Sequence, residues 1–190
     1  MLVRLARVGL AALGALALLE LVLERLVGWR SLPPLRTSIV VEAPPERVWA
    51  ILADVEGQPT WMTDLRSVRI ETPGPVGVGT RAVGTVRIAG ITVQDPVEVT
   101  AFDAPARFAV EHLGLFRGHG VFTVEPLGDG AARVVWEEVL QAPLFPRAWW
   151  LSARPILGRV FAADLGRLRA IAEAAPESST GTQPGATAGG

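Results

Sequence analysis

The spacing of hydrophobic and polar positions predicts alternating strands and helices across residues 36–175. The segment "RTSIVVEA" is rich in β-branched residues and stops at Pro44-Pro45, which predicts a strand that ends there. Apolar residues then recur at helical spacing between Val48 and Val55, which predicts a short helix with one buried side. A second helical turn through Trp61–Leu65 is expected before the strand "SVRIET".

Five strands separated by short turn segments, as in consecutive β-hairpins, are predicted through the middle of the chain. They lie at about 80–89, 91–102, 107–113, 117–126 and 132–140. The segments between them contain Gly, Asp and Pro, which favour tight turns for defined conformational reasons. The pattern therefore predicts an antiparallel meander.

A long amphipathic helix is predicted over 151–175, where Leu157, Phe161, Leu165 and Leu168 lie on one stripe. The sheet is the surface available to cover that stripe. We therefore expect the core of the domain to lie between the sheet and this helix.

The first 30 residues have a different pattern. The uncharged apolar run 8–19 lies between Arg7 and Glu20. It predicts a single-pass membrane anchor, with a cleavable signal peptide and a helix packed on a protein as the alternatives. Arginines are nearly balanced on the two sides of the run, so the side of the membrane is left open.

The remaining segments complete the predicted organisation. Residues 31–35 link the N-terminal helix to a domain at 36–175. Residues 176–190 are small, polar and rich in Gly, Pro, Ser and Thr, which predicts a disordered tail.

The predicted elements follow the order of the helix-grip fold, which is one strand, two short helices, six strands and a long helix. The segments "PPERVWAILADVEGQPTWMTDLRSVRI", "GPVGVGTR", "GVFTVEPLGDGAARVVWEE" and "DLGRLRAIAE" resemble the START-like SRPBCC superfamily, specifically its polyketide cyclase/dehydrase and lipid-transport branch. The resemblance covers about residues 36–174. It implies an α+β fold in which a curved antiparallel sheet wraps around the C-terminal helix and leaves a cavity. It also implies that Trp61 forms a wall or lid of that cavity, with an ordinary core position as the alternative.

Charge and composition exclude several classes of function. The sequence has 18 Lys and Arg residues and 19 Asp and Glu residues, so its net charge is -1. It contains no run of basic residues, so nucleic acid is not an expected partner. The sequence contains no cysteine, so it has no thiolate nucleophile. His112 and His119 have no third ligand at the spacing that metal sites use. The Gly77-x-Gly79-x-x-Ala82 stretch resembles a dinucleotide-binding fingerprint, but that motif requires a strand before it and a helix after it, and neither is predicted here. We therefore expect no metal and no cofactor.

Alternation along two strands directs polar side chains into the predicted cavity. Phe108, Val110 and His112 share one face, and the bulk of Trp136 favours the face that carries Glu138 as inward. An imidazole and a carboxylate in a dry pocket can transfer protons on a carbonyl compound, or they can orient a ligand or pair with each other. The predicted ligand-binding residues are Trp61, Phe108, Val110, His112, Trp136, Glu138, Phe161 and Leu165.

The segment "APLFPRAWWLSARP" at 142–155 is predicted to be the loop that enters the last helix, at the cavity mouth. Its aromatic and arginine side chains suit either a membrane interface or a loop folded back on its own helix.

The leading hypothesis is a carrier or sensor that holds a lipid or other hydrophobic small molecule and is tethered at a membrane. The alternatives are a polyketide cyclase/dehydratase-type enzyme that uses His112 and Glu138, and a structural partner with a filled core.

Overall fold

The computed structural model describes residues 2–27, 33–88, 90–128 and 130–174. Within these residues the helices are α1 Leu2–Val27, α2 Pro45–Ala53 and α3 Pro146–Glu173, with a short 3-10 helix at Gln58–Thr60. The strands are β1 Leu35–Val41, β2 Leu65–Ile70, β3 Arg81–Ile88, β4 Ile91–Asp103, β5 Arg107–Leu113, β6 Arg117–Gly128 and β7 Ala131–Gln141.

The strands form one antiparallel sheet in the order β1-β7-β6-β5-β4-β3-β2. Consecutive strands from β2 to β7 are neighbours, and β1 pairs with β7. α3 packs on β1 and β7 and covers one face of the sheet. The predicted helix-grip architecture, with a curved antiparallel sheet and a long C-terminal helix, is confirmed.

Aromatic side chains fill the core between the sheet and α3. The Trp136 ring stacks on Phe161, with ring centroids 3.9 Å apart. Trp61 is fully buried and meets Phe122 and Trp136 edge-on. Because large aromatic side chains bury extensive apolar area, this cluster joins α3 to the middle of the sheet.

Two helix positions differ from the sequence prediction. The second helical turn lies at Gln58–Thr60 and not at Trp61–Leu65, since Pro59 suits a first turn and the Thr60 hydroxyl donates to the Gly57 carbonyl. α3 begins at Pro146 and not at 151. Proline is favoured in a first turn because it has no N–H to leave unpaired.

Glu20 of α1 caps the start of α3. Its carboxylate accepts hydrogen bonds from the backbone N–H groups of Arg147 and Ala148, each at 3.1 Å, and from the Arg147 guanidinium. Burial opposes the charge of Glu20, but these hydrogen bonds and the positive Arg147 outweigh it and lower the pKa of Glu20. A carboxylate at a helix N-terminus also interacts favourably with the helix dipole.

The predicted membrane anchor is wrong. Among the residues that the structure describes, no helix is long and apolar enough to cross a membrane. The uncharged run 8–19 is shorter than the about 20 residues that a span requires. Glu20, which closes the run, contacts Arg147 of α3, so α1 packs on the protein, which agrees with the alternative of a packed helix.

Two predictions lie partly or wholly outside the described residues. These are the linker, of which residues 31 and 32 are not described, and the tail at 176–190. Both stay predictions.

Candidate functional site

A cavity of about 200 Å³ lies between α3 and the face of the sheet that α3 covers. Side chains of β2 to β7 form its floor, and Val160, Phe161 and Asp164 of α3 form part of its roof. Gln58 and Met62, from the segment between α2 and β2, close one side. Each strand contributes alternate residues because successive side chains point to opposite faces of a sheet.

Six of the eight predicted ligand-binding residues line this cavity: Phe108, Val110, His112, Trp136, Glu138 and Phe161. Their role in binding stays a prediction. Trp61 and Leu165 do not line the cavity, and both are fully buried. Trp61 lies behind the wall, packed edge-on against Phe122 and Trp136, so the structure favours its core alternative over a lid.

The polar cluster of the cavity consists of Asp95, His112 and Glu138. His112 Nδ1 lies 2.7 Å from Asp95 Oδ2, within hydrogen-bond distance. On the other side of the ring, His112 Nε2 lies 3.1 Å from Glu138 Oε1. This second contact is an ion pair without hydrogen-bond alignment, so both atoms lack a directed partner among the described residues.

Two carboxyl groups determine the protonation of His112. Burial disfavours the charged imidazolium, but the contacts with Asp95 and Glu138 outweigh burial and raise the pKa of His112 to about 10. His112 is therefore a cation at neutral pH. Its Nε2 carries a proton and is a hydrogen-bond donor next to the acceptor Glu138 Oε1.

Glu138 is fixed by its own strand neighbour. Its Oε2 accepts a hydrogen bond of 2.9 Å from Trp136 Nε1. Both side chains point to the cavity face because they are two residues apart on β7. The Glu138 side chain is 5% exposed, so the carboxylate is held in an almost dry environment.

Gly120 of β6 leaves room for the contact between His112 of β5 and Glu138 of β7. β6 runs between these strands, with Gly118 opposite His112 and Gly120 opposite Glu138. A Cβ at Gly120 would lie 2.6 Å from Glu138 Oε2, which is closer than atoms can approach. The missing side chain at Gly120 leaves room for the Glu138 carboxylate over β6, whereas Gly118 has a φ of +147° and no room for a Cβ against the Val139 carbonyl. A glycine inside a strand often marks such a close approach.

A second acidic group of the cavity already has protein partners. Asp164 of α3 accepts hydrogen bonds from the Thr63 backbone N–H at 3.0 Å and the Thr63 hydroxyl at 3.1 Å, and it pairs with Arg167. Arg167 also donates to the Trp61 carbonyl. This network holds the segment before β2 against α3, so we assign Asp164 a structural role.

The segment predicted as the cavity-mouth loop instead contains the first turns of α3. Trp149 packs on Phe116, which lines the cavity, with ring centroids 5.0 Å apart. Trp150 is fully buried and donates to the Pro33 carbonyl, and Arg154 donates to the Pro34 carbonyl. These contacts favour the folded-back alternative.

Asp95 is the residue of the cluster that the sequence reasoning missed. It lies on β4 in the alternating series Val93, Asp95, Val97, Val99, and all four line the cavity. The same alternation rule that identified His112 applies here, so the signal was present. Within the described part of the chain, no three His, Asp or Glu side chains form a group that could hold a metal ion.

The comparisons with known proteins agree with this architecture. A family model for polyketide cyclase/dehydrase and lipid transport matches residues 34–173. The Zhui aromatase/cyclase from Streptomyces sp. R1128 has 22% sequence identity and a TM-score of 0.60, covering 73% of this chain and 92% of that chain. A START superfamily protein from Mycobacterium smegmatis has 17% identity and a TM-score of 0.60, covering 74% and 97%. At these identities the two structures show the fold alone. No curated protein matches the sequence. The predicted resemblance to the START-like superfamily is confirmed.

Proposed function

The chain belongs to the polyketide cyclase/dehydrase and lipid transport family, and on that premise we propose that it binds a small hydrophobic molecule under α3 as a carrier or sensor. One observation carries the proposal: an apolar cavity between the sheet and α3 contains a cluster of convergent polar groups, Asp95, His112 and Glu138. Ligand sites in proteins have this composition, in which apolar walls supply affinity and a few polar groups fix orientation.

The cavity volume limits the size of the ligand. A cavity of about 150 Å³ is known to accept benzene. The present cavity of about 200 Å³ suits one or two fused rings or a short chain. Phe108, Trp136 and Phe161 lie in its wall and offer aromatic surfaces for ring stacking.

Equilibrium dialysis of naphthalene against the full chain tests this proposal. Val110 lines the cavity, whereas Val40 is 41% exposed on β1, so Val110→Phe and Val40→Phe form a matched pair. We expect Val110→Phe to weaken naphthalene binding at least about tenfold, because the added ring occupies the cavity. Val40→Phe should bind as the unchanged chain does. Equal binding by all three proteins would refute the cavity as the site.

Acid–base catalysis on a carbonyl substrate is the second candidate, favoured by the His112 and Glu138 contact. A general base works best with a pKa near the operating pH. His112, with its pKa raised to about 10, is already protonated at neutral pH, which supports a ligand-orienting role over a base. Product analysis after incubation with a bound carbonyl compound distinguishes the two: conversion that is lost in His112→Gln would establish the enzyme.

A further inference from the structure

The polar cluster offers a ligand one donor and one acceptor side by side. His112 Nε2 and Glu138 Oε1 are 3.1 Å apart, both line the cavity, and neither has a directed hydrogen bond from the described residues. The Glu138 residue is 4% exposed, so its oxygen cannot obtain a partner from bulk solvent without entry into the cavity. A buried carboxylate oxygen without an aligned hydrogen bond, even beside a cation, can gain one from a fitting ligand.

A hydroxyl group matches this pair of atoms. Its oxygen accepts a hydrogen bond and its hydrogen donates one, so a single hydroxyl can accept from His112 Nε2 and donate to Glu138 Oε1. A carbonyl oxygen only accepts, and it would leave Glu138 Oε1 unpaired. A hydrocarbon would leave both atoms unpaired.

The charges around the cavity disfavour an anionic ligand. The acidic lining residues are Asp64, Asp95, Glu138 and Asp164, and none of the described lining residues is an arginine. His112 is the one basic lining residue in the described part of the chain, and two carboxyl groups already face it. A ligand carboxylate would therefore be desolvated next to like charges, without a free cation to compensate.

We propose that the cavity selects uncharged hydrophobic molecules that carry a hydroxyl group, which bridges His112 Nε2 and Glu138 Oε1 from the cavity side, and that it rejects the corresponding carboxylates. This inference rests on the proposed function and adds the chemical class of the ligand. The aromatic wall, with Trp136 and Phe161 beside the cluster, makes a phenol-type hydroxyl on one or two rings a suitable probe.

The experiment compares four probes with one ring system by equilibrium dialysis at pH 7: 2-naphthol, naphthalene, 2-naphthoate and the cationic 2-naphthylmethylamine. For the unchanged full chain we expect 2-naphthol to bind about tenfold tighter than naphthalene, the effect of one hydrogen bond to a charged group. We expect 2-naphthoate to bind more weakly than naphthalene, and the amine to bind more weakly than 2-naphthol.

Glu138→Gln removes the negative charge with little change in shape, and Glu137→Gln is its matched control. Glu137 is the adjacent residue of β7 and pairs with Arg36 on the opposite face. We expect Glu138→Gln to lose most of the preference for 2-naphthol over 2-naphthoate, and Glu137→Gln to retain it. Circular dichroism establishes that each variant is folded, and the selectivity of the unchanged chain tests the proposal if Glu138→Gln does not fold.

The possible results separate this inference from the proposed function. If none of the four probes binds, the proposed cavity function fails, and the inference fails with it. If naphthalene binds but 2-naphthol has no advantage over naphthalene or 2-naphthoate, the cavity stands and the hydroxyl assignment is overturned. If the amine binds tighter than 2-naphthol, negative charge alone determines selectivity and the assignment is overturned. An unchanged preference in folded Glu138→Gln also overturns it.

Discussion

The contacts of His112 predict that the protein loses stability as the pH rises above neutrality. In the unfolded chain the pKa of a histidine is about 6.5. In the folded protein the carboxyl groups of Asp95 and Glu138 outweigh burial and raise the pKa of His112 to about 10. Because the folded state holds the proton more tightly, the stabilisation is fully present below about pH 6.5 and is lost as the pH rises toward 10.

The expected magnitude follows from proton linkage. When one state holds a proton that the other has lost, the free energy of unfolding falls by about 1.4 kcal/mol per pH unit. Between pH 7 and pH 9 this gives a loss of roughly 2–3 kcal/mol, a large part of the about 5–15 kcal/mol that stabilises a typical domain.

The composition of the chain makes this measurement specific. The sequence contains no lysine, tyrosine or cysteine, so histidines are the side chains expected to titrate in this window, and the terminal amine is common to all variants. Urea unfolding at pH 7, 8 and 9, followed by tryptophan fluorescence, gives the slope directly. Substitutions His112→Gln and His119→Gln form a matched pair because His119 is exposed on β6.

We expect the unchanged chain and His119→Gln to lose stability with the same slope, and His112→Gln to show a nearly flat profile. The decisive quantity is the slope of the free energy of unfolding against pH. The absolute stability is less informative, because His112→Gln also leaves two carboxyl groups without their cation and lowers the stability at pH 7. A His112→Gln protein with the slope of the unchanged chain would refute the assigned protonation of the cluster.

Three further predictions address the cavity, the core and the N-terminal helix. Gly120→Ala places a Cβ against the Glu138 carboxylate and should weaken 2-naphthol binding about tenfold in equilibrium dialysis. Gly166→Ala, where a Cβ meets nothing within 4 Å, should bind normally and stabilise α3 by up to about 1 kcal/mol in urea unfolding. Trp61→Ala should lower the free energy of unfolding by about 3–5 kcal/mol, as expected for a core aromatic residue and not for a lid. Glu20→Gln removes the charged cap of α3 and should cost about 1–2 kcal/mol, with faster amide exchange in the first turn of α3.

Each of these predictions has a contradicting result. Normal 2-naphthol binding by Gly120→Ala would show that the position of the Glu138 carboxylate is irrelevant. If Trp61→Ala retained full stability but changed the rate of ligand exchange, Trp61 would be a lid of the cavity and not a core residue. Unchanged exchange at the start of α3 in Glu20→Gln would show that α1 does not cap that helix in solution.

Strand alternation allowed much of the cavity wall to be predicted from the sequence. Phe108, Val110 and His112 face inward because side chains alternate with a period of two, and that rule requires no knowledge of the rest of the fold. Alternation does not distinguish an inward residue that lines a space from one that packs behind it. The same is true of the two patterns behind Trp61 and Leu165, which are the family resemblance and the stripe of the C-terminal helix. Both residues lie in the core.

The role of α1 could not be predicted from local hydropathy. A hydropathy calculation treats Glu20 only as a charge that opposes membrane insertion. In the structure Glu20 binds Arg147, which lies 127 positions away in the sequence. The same long-range contact explains why the start of α3 was placed too late. Its cap comes from another helix, and no capping side chain precedes Pro146 in the sequence.

The local costs of the polar cluster support a role in binding over a role in stability. A glycine inside a strand destabilises it by roughly 0.5–1 kcal/mol relative to alanine, and Gly120 of β6 lies opposite Glu138. Buried ion pairs are often no more stabilising than the apolar residues that can replace them. Apolar side chains in place of His112 and Glu138 would fill the cavity, and a Cβ at position 120 would then no longer meet a carboxylate. The arrangement retains an open space, a donor and an acceptor together, which are the features that a hydroxyl-bearing ligand requires.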